Sequence, residues 1–537
     1  MRVLGDVLTK QGRALPDRIA LVDPHGNRQH TYAELARRSV QIANGLAELG
    51  VGHGDRVAML LGNCTVCAEL PLAVGLIGAV TVNVNEKLKP DEVAYILADS
   101  GATAVVTSTD LLGTLETIRT DLPELRHVLT VDGAAPGTLD FEAMVDGASP
   151  TPPQMVVPES STAMLIYTSG TTGRPKGVQL THANLVHSAT NFLVEGFHDA
   201  DGVYLACVPY YHAACIPHMA ALMRGMTVVA VPFDVESVLD LVERYRITDA
   251  FLVPTMIALL LQRTDLLDAH DLSSLQTIFY AAAPIPVPVL SVALERFGPI
   301  FVQMYGLSES ATISTVLRKE DHRLDGDHRR LSSCGREITH VEVRIGTVEQ
   351  ECPPGERGEL LLRGANVMSG YWGLPEASEL AVKAGWLHTG DIAIRDEDGY
   401  LYIVDRKHDM IITGGANVYP REVEDVLYAH PAVAEAAVVG VPDDTWGETV
   451  LAVVALRPDA VATESDLVDF CAERLARYKK PRAVVFVDAL AKTPVGKIDK
   501  AALRAAFAGP APALDPPDDA TGGGSLGDVV LSERPTR

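Results

Sequence analysis

The sequence predicts an α/β fold: a large N-terminal domain of parallel sheets, a small β-rich subdomain after it, and a small α+β C-terminal domain. Three observations predict this. Short β-branched runs alternate with helical patterns through the first part of the chain, which is the signature of parallel sheets covered on both faces. From about Cys334 short strands separated by Gly and Pro take over. After Asp405-Arg406-Lys407 the texture changes again, to a compact alternation of helix and strand. At 537 residues, 47% of them hydrophobic, the chain is too long for one simple core.

Arg56 to Leu61, Val80 to Val84 and Ala104 to Thr107 read as strands, with a helix over Asp91 to Ser100. The pattern recurs as the strand Thr227 to Val231, the helix Val235 to Tyr245 and the strand Ala250 to Val253. Val341 to Ile345, Gly358 to Arg363 and Tyr400 to Val404 are the strands of the β-rich part. Beyond them, Arg421 to His430 and Glu464 to Tyr478 read as helices, and Ala434 to Val441 and Thr449 to Leu456 as strands. The boundaries are 1–404 for the first domain, 405–408 for a hinge and 409–508 for the last. Residues 509–537 are rich in Pro, Gly and Asp and read as a disordered tail.

Composition excludes several classes. A net charge of −25 makes the chain a poor ligand for nucleic acid, which needs a basic surface. Seven scattered cysteines are no disulfide framework. Cys64 and Cys67 form a C-x-x-C without a second pair, and read as small buried helix residues. The N-terminus carries no signal-peptide pattern, and the longest apolar stretch, Leu70 to Val82, is too short to span a bilayer. A cytoplasmic enzyme with no integral membrane segment is expected.

The strongest feature is Tyr167-Thr168-Ser169-Gly170-Thr171-Thr172-Gly173-Arg174-Pro175-Lys176-Gly177, which follows the apolar strand Ala163 to Ile166. Glycines free the backbone to expose N–H groups, hydroxyls add donors, and Lys176 adds a point charge. Together they form a polyphosphate cradle. The spacing is not that of a Walker A loop.

This loop resembles that of the adenylate-forming superfamily, which holds acyl-CoA synthetases, peptide-synthetase adenylation domains and beetle luciferases. Other motifs of the family follow in order, over roughly residues 15 to 505. The resemblance implies a role for each. Pro209-Tyr210-Tyr211-His212 resembles the aromatic/His motif, with His212 beside the acyl carboxylate. Tyr280-Ala281-Ala282-Ala283-Pro284 stands where a small-residue turn underlies adenine, with alanines in a turn where glycine is common. Tyr305-Gly306-Leu307-Ser308-Glu309 resembles Tyr-Gly-x-Thr-Glu. There Tyr305 stacks on adenine, Gln303 and Met304 line the pocket, the Ser308 hydroxyl serves the α-phosphate, and Glu309 binds Mg²⁺. Within Gly385-Trp386-Leu387-His388-Thr389-Gly390-Asp391, Asp391 accepts from the ribose hydroxyls. Gly358-Glu359-Leu360 and Met368-Ser369-Gly370-Tyr371-Trp372 resemble structural segments. Arg406 contacts ribose from the hinge. His408, where the family usually has Asp or Lys, implies a pH-sensitive pivot. Gly414 and Gly415 approach the pantetheine of coenzyme A. Lys497, in Lys492-Thr493-Pro494-Val495-Gly496-Lys497, is the catalytic lysine at the α-phosphate.

The implied reaction uses ATP, Mg²⁺ and coenzyme A. A carboxylate attacks the α-phosphate, giving an acyl-adenylate and pyrophosphate. The mobile C-terminal domain then swings about 405–408, and the thiol displaces AMP. The runner-up is a stand-alone adenylation enzyme that loads a carrier protein. A non-catalytic relative predicts loss of Lys497 or Glu309, which are present. The acyl-pocket wall, from Ala213, Ala214, Cys215, Met256, Ala282, Gly306 and Ala311, is small and apolar. It favours a long-chain, aromatic or polycyclic acid over acetate. Homodimerisation is the family's habit.

Overall fold

The computed structural model describes residues 3–507 except 27, 169–173, 198, 213–214, 326–327, 407–408, 414–415, 444–445 and 494–497. The chain divides into two compact units, Met1–Met410 with Lys492–Ile498, and Ile411–Ala491 with Asp499–Arg537. The division falls two residues beyond the expected start of the last domain. Asp409 and Met410 both donate their N–H to Arg406 O, at 2.9 and 3.2 Å, which ties them to the strand Leu401–Arg406.

Among the described residues, the first unit holds three sheets. In one, six parallel strands run in the spatial order Phe301–Tyr305, Thr277–Tyr280, Asp249–Leu252, Val203–Ala206, Thr227–Ala230 and Ile19–Asp23. Antiparallel strands finish both sides: Thr315–Leu317 and Arg336–Glu337 at one, Arg28–Thr31 at the other. A second sheet also has six parallel strands, in the order Thr162–Thr168, Val80–Val84, Arg56–Leu60, Ala104–Thr107, His127–Thr130 and Leu139–Asp140. The antiparallel strands Lys176–Thr181 and Gly370–Tyr371 close its first edge. The central strands read as unbroken apolar runs because both faces are covered. Helices with one apolar stripe do the covering; Val235–Tyr245, for example, buries Val238, Leu239, Leu241 and Val242.

The third sheet is the β-rich module. It pairs Val341–Gly346, Arg357–Gly364, Trp386–Arg395 and Leu401–Arg406 as antiparallel neighbours, with Val382–Lys383 on Trp386–Arg395. Alternation of buried and half-exposed residues in Val341–Gly346 shows one face on the core.

In the second unit a long antiparallel pair, Val433–Asp443 with Gly447–Leu456, carries the short strands Ile411–Thr413, Ala416–Val418 and Ala483–Phe486. The helices Pro420–Tyr428 and Glu464–Ala472 bury Val423, Leu427, Leu467 and Cys471 into its core. The second helix is shorter than the periodicity predicts, which carries it to Tyr478. At its end Arg474 donates N–H to Cys471 O at 3.1 Å, a tighter turn than α, and Pro481 precedes the strand Ala483–Phe486.

Among the described residues, no helix is long and apolar enough to cross a membrane. The stretch Leu70 to Val82 is instead part of a buried helix, a 3₁₀ turn and a central strand.

Among the described residues, three histidines are buried as neutral side chains. His182 opens the helix His182–Glu195 and accepts the Leu4 N–H on Nδ1 at 3.3 Å. His218 lies against the Tyr210 ring, with centroids 4.9 Å apart. His322 Nε2 pairs with Tyr280 Oη at 3.0 Å. Burial lowers their pKa values to about 4, 3 and 4 respectively. An unfolded histidine takes up its proton near pH 6.5, so the stability from these groups is complete above that pH. It is lost as the pH falls towards 4. At pH 5 each costs up to about 2 kcal/mol. We expect the thermal midpoint to drop between pH 6.5 and 4.5, and His218→Met to make that drop shallower, as read by calorimetry across the range.

Candidate active site

The strand Phe301–Tyr305 ends at the C-terminal edge of its sheet, where ligands of open parallel sheets bind. The Tyr305 hydroxyl donates to Asp391 Oδ2 at 2.6 Å. Asp391 belongs to Trp386–Arg395 in the β-rich sheet and faces Arg406 in strand register. Arg406 Nε reaches Asp391 Oδ1 at 3.1 Å. Asp391 is only 3% exposed, and its N–H is fixed by Thr389 Oγ1 at 3.0 Å. Burial together with this carboxylate holds the Tyr305 hydroxyl well above its ordinary pKa, so it stays a donor. A carboxylate has about four acceptor positions, which is more than the Tyr305 hydroxyl and Arg406 Nε use.

Gly306 follows. A Cβ there would stand 2.1 Å from Thr312 O, so only glycine allows this approach. The chain folds back through the 3₁₀ turn Ser308–Ser310, then Ala311 and Thr312 at φ 46° and 85°. Positive φ at a β-branched residue is strained, and such strain gathers at functional turns. Ala282 adds a third case, at φ 74°, in the alanine turn that follows Tyr280. Each costs on the order of 1–2 kcal/mol that the surroundings must offset.

A strap over residues 366–372 fastens these parts. Asn366 Nδ2 donates to Ser310 O and Ile313 O at 2.8 and 3.0 Å. Met368 N–H donates to Glu309 O at 2.8 Å, and the Tyr371 hydroxyl to Glu309 Oε1 at 3.0 Å. Ser369 N–H and Trp372 N–H donate to Gln179 O and Gly177 O, at 3.1 and 2.8 Å. The same strap therefore grips the Glu309 turn and the strand Lys176–Thr181. Lys176 Nζ lies 5.0 Å from the centre of the Tyr371 ring.

Of the phosphate loop, Thr168 ends one strand and Lys176 opens the next, paired in register. Tyr95 Oη donates to Pro175 O at 3.0 Å, and Arg174 lies over the Tyr95 ring. Ser169, Gly170, Thr171, Thr172 and Gly173 lie outside the described residues, as do Ala213, Ala214, His408, Gly414, Gly415 and Lys497.

The other expected residues divide by surroundings. Ser308 is half-buried at the start of its turn. Gln303 Nε2 donates to Met304 O at 3.1 Å, and its buried Oε1 has no donor among the described residues. The Met304 side chain is 1% exposed and packs in the main core, and its backbone pairs with Val316 in the sheet. Ala283 is half-buried and Pro284 exposed. His212 stacks edge-on to Tyr211 at 4.6 Å. Tyr210 is pinned by Asn63 Oδ1, which accepts its N–H, and by Asn83 Nδ2, which donates to its carbonyl, both at 3.0 Å. Cys215 is sealed beside Met164 Sδ at 3.5 Å, and burial pushes its thiol up to about 12. Met256 is half-buried between two cores, and Ala311 is fully buried.

Asn366, Tyr371, Thr312 and Asn63 were not singled out by the sequence. Only the run Met368 to Trp372 carried a signal, as a structural segment.

Two family models match the chain: AMP-binding enzyme over residues 8–372, and AMP-binding enzyme C-terminal domain over 422–497. The chain belongs to the AMP-binding enzyme family, as an AMP-forming acyl-CoA synthetase. It is 40% identical to a feruloyl-CoA synthase of Amycolatopsis over 515 residues, 94% of this chain and 99% of the relative. It is 38% identical to a medium/long-chain fatty acid–CoA ligase of Mycobacterium tuberculosis, over 90% of this chain and 86% of that one. Among solved structures, it matches the o-succinylbenzoate CoA synthetase of Bacillus subtilis in complex with its acyl-adenylate intermediate. There the TM-score is 0.81 at 33% identity, covering 93% of this chain and 97% of that one.

Asn366 offers a direct check on how this synthetase holds its site. Asn366→Ala leaves two buried carbonyls without donors, at a cost of about 1–3 kcal/mol. We expect a lower thermal midpoint together with weaker ATP binding, measured by calorimetry and by titration with nucleotide.

Proposed function

We propose that this synthetase activates a hydrophobic carboxylic acid with an aromatic or long aliphatic body, and transfers it to coenzyme A. The observation that carries the nucleotide half is the buried Asp391 carboxylate, held by Tyr305 and Arg406 beside the Glu309 turn. Asp391 accepts the ribose hydroxyls, and the open Gln303 Oε1 accepts a donor from the adenine edge. Thr168, Lys176 and the loop between them cradle the phosphates, with Ser308 at the α-phosphate.

The donor set at Glu309 fits a hard cation. Tyr371 orients the carboxylate through one oxygen. No group of three or more metal-ligating side chains occurs among the described residues, so phosphates and water would complete the shell. Mg²⁺ held there would neutralise charge on the phosphates. Lys497 supplies the second cation at the reacting carboxylate and α-phosphate. His212 orients the acid. The acyl-adenylate then meets the pantetheine thiol beside Gly414 and Gly415, after a turn about 405–408.

The acid is read from the pocket wall and from relatives. Cys215, Met256 and Ala311 are apolar, and the feruloyl-CoA and fatty acid–CoA enzymes have substrates with large apolar bodies. Pyrophosphate release should be fast with a hydroxycinnamic or long-chain acid and slow with acetate. Fast turnover of acetate overturns the substrate reading. With the good acid, coenzyme A should yield thioester, whereas a phosphopantetheinylated carrier protein should not. Asp391→Asn should raise the ATP KM about 10–100-fold, a loss of roughly 1.4–2.7 kcal/mol, with the fold kept by circular dichroism.

A further inference from the structure

Cys64 and Cys67 have no part in the proposed chemistry, yet their sulfur atoms stand 3.7 Å apart. Cys64 is the N-cap of the helix Thr65–Val74, with extended backbone, and is half-buried. Cys67 is fully buried in the first turn, its Sγ 3.3 Å from Gly62 O. The expectation of two buried helix residues therefore holds for Cys67 only. An N-cap and the third residue of its helix have Cα atoms about 5–6 Å apart, a separation that a disulfide spans.

The two thiols are unequal. The Cys67 hydrogen bond, with the N–H groups of Cys67 and Val66 nearby, holds the Cys64 thiol below its ordinary range against burial. That bond and burial hold Cys67 well above it. Such a pair has an attacking and a resolving member.

Asn63 connects the pair to the acyl pocket. Its Nδ2 donates to Val208 O and Val231 O, at 3.0 and 3.2 Å, and its Oδ1 accepts from Tyr210 N–H at 3.0 Å. These bonds fix the segment that leads to His212.

We propose that Cys64 and Cys67 are a reversible disulfide site, closed by a low-molecular-weight disulfide, which acts through Asn63 on the segment 209–212. Its effect on activity rests on the acid-activation reading above. The Cys64 thiolate attacks one sulfur of the small disulfide, forms a mixed disulfide and expels a small thiolate. Cys67 gives up its proton and attacks Cys64 Sγ, expelling the second small thiolate. Two protein thiols are oxidised, one small disulfide becomes two thiols, and the protons end on those thiols. Closure brings the sulfurs to about 2.05 Å and draws Cys64 into the first turn, which shifts Asn63 against its three partners.

The test treats the full chain with glutathione disulfide, alkylates the remaining thiols and weighs the peptides. The peptide with Cys64 and Cys67 should lose two hydrogens and resist alkylation. Acid-dependent pyrophosphate release should fall several-fold, and dithiothreitol should reverse both. Cys64→Ala should keep the reduced rate and ignore the oxidant, whereas Cys67→Ala should keep the reduced rate before treatment and then trap a glutathione adduct on Cys64 without forming the bridge. A bridge that leaves the rate unchanged overturns the proposal, as does alkylation of both thiols after the half-buried Cys352 has been oxidised. The bridge is read by mass without substrate. A missing bridge thus counts against this site, and a reduced protein that releases no pyrophosphate with any acid counts against the activation reading.

Discussion

The first unit depends on one buried carboxylate. Asp391 belongs to the antiparallel β-rich sheet, Tyr305 ends a strand of the parallel sheet, and Arg406 closes the last strand before the unit boundary. A carboxylate 3% exposed carries a large desolvation cost unless donors surround it. Here the donors come from two sheets, so satisfying that charge also fixes how the sheets meet. The edge that ends in Tyr305 and the β-rich module are registered by this one group.

Around that fixed point the backbone is held in conformations it would not choose. Ala282, Ala311 and Thr312 all have positive φ. They persist because neighbours over-determine them: Asn366 takes the carbonyls of Ser310 and Ile313, and Ser188 Oγ donates to Ala311 O. The cost of strain is met by buried hydrogen bonds from distant parts of the chain, a pattern usual for sites built to present backbone groups to a ligand.

The parallel strands were legible because a strand buried on both faces must be an unbroken apolar run, as in Val80–Val84 and Ala104–Thr107. The motif residues were singled out because phosphate, diol and cation each demand a narrow set of side chains. The struts were not. Asn63 and Asn366 act by donating to carbonyls more than fifty residues away, and an asparagine in a loop looks the same whether or not it does so. Ala282 was legible as a departure from glycine, but its φ of 74° is a property of the turn, not of the letter. The helix that begins at Glu464 was overextended because periodicity continues past Ala472 while its hydrogen bonds tighten.

The strap over 366–372 has a consequence for how its two ends respond to a ligand. It holds Glu309 by backbone and side chain, and holds the strand Lys176–Thr181 at two carbonyls. Two elements distant in sequence thus share one rigid frame, so ordering either lowers the entropic cost of ordering the other. In linkage terms, two ligands that ordered Glu309 and the strand Lys176–Thr181 would be coupled through seven residues that need touch neither.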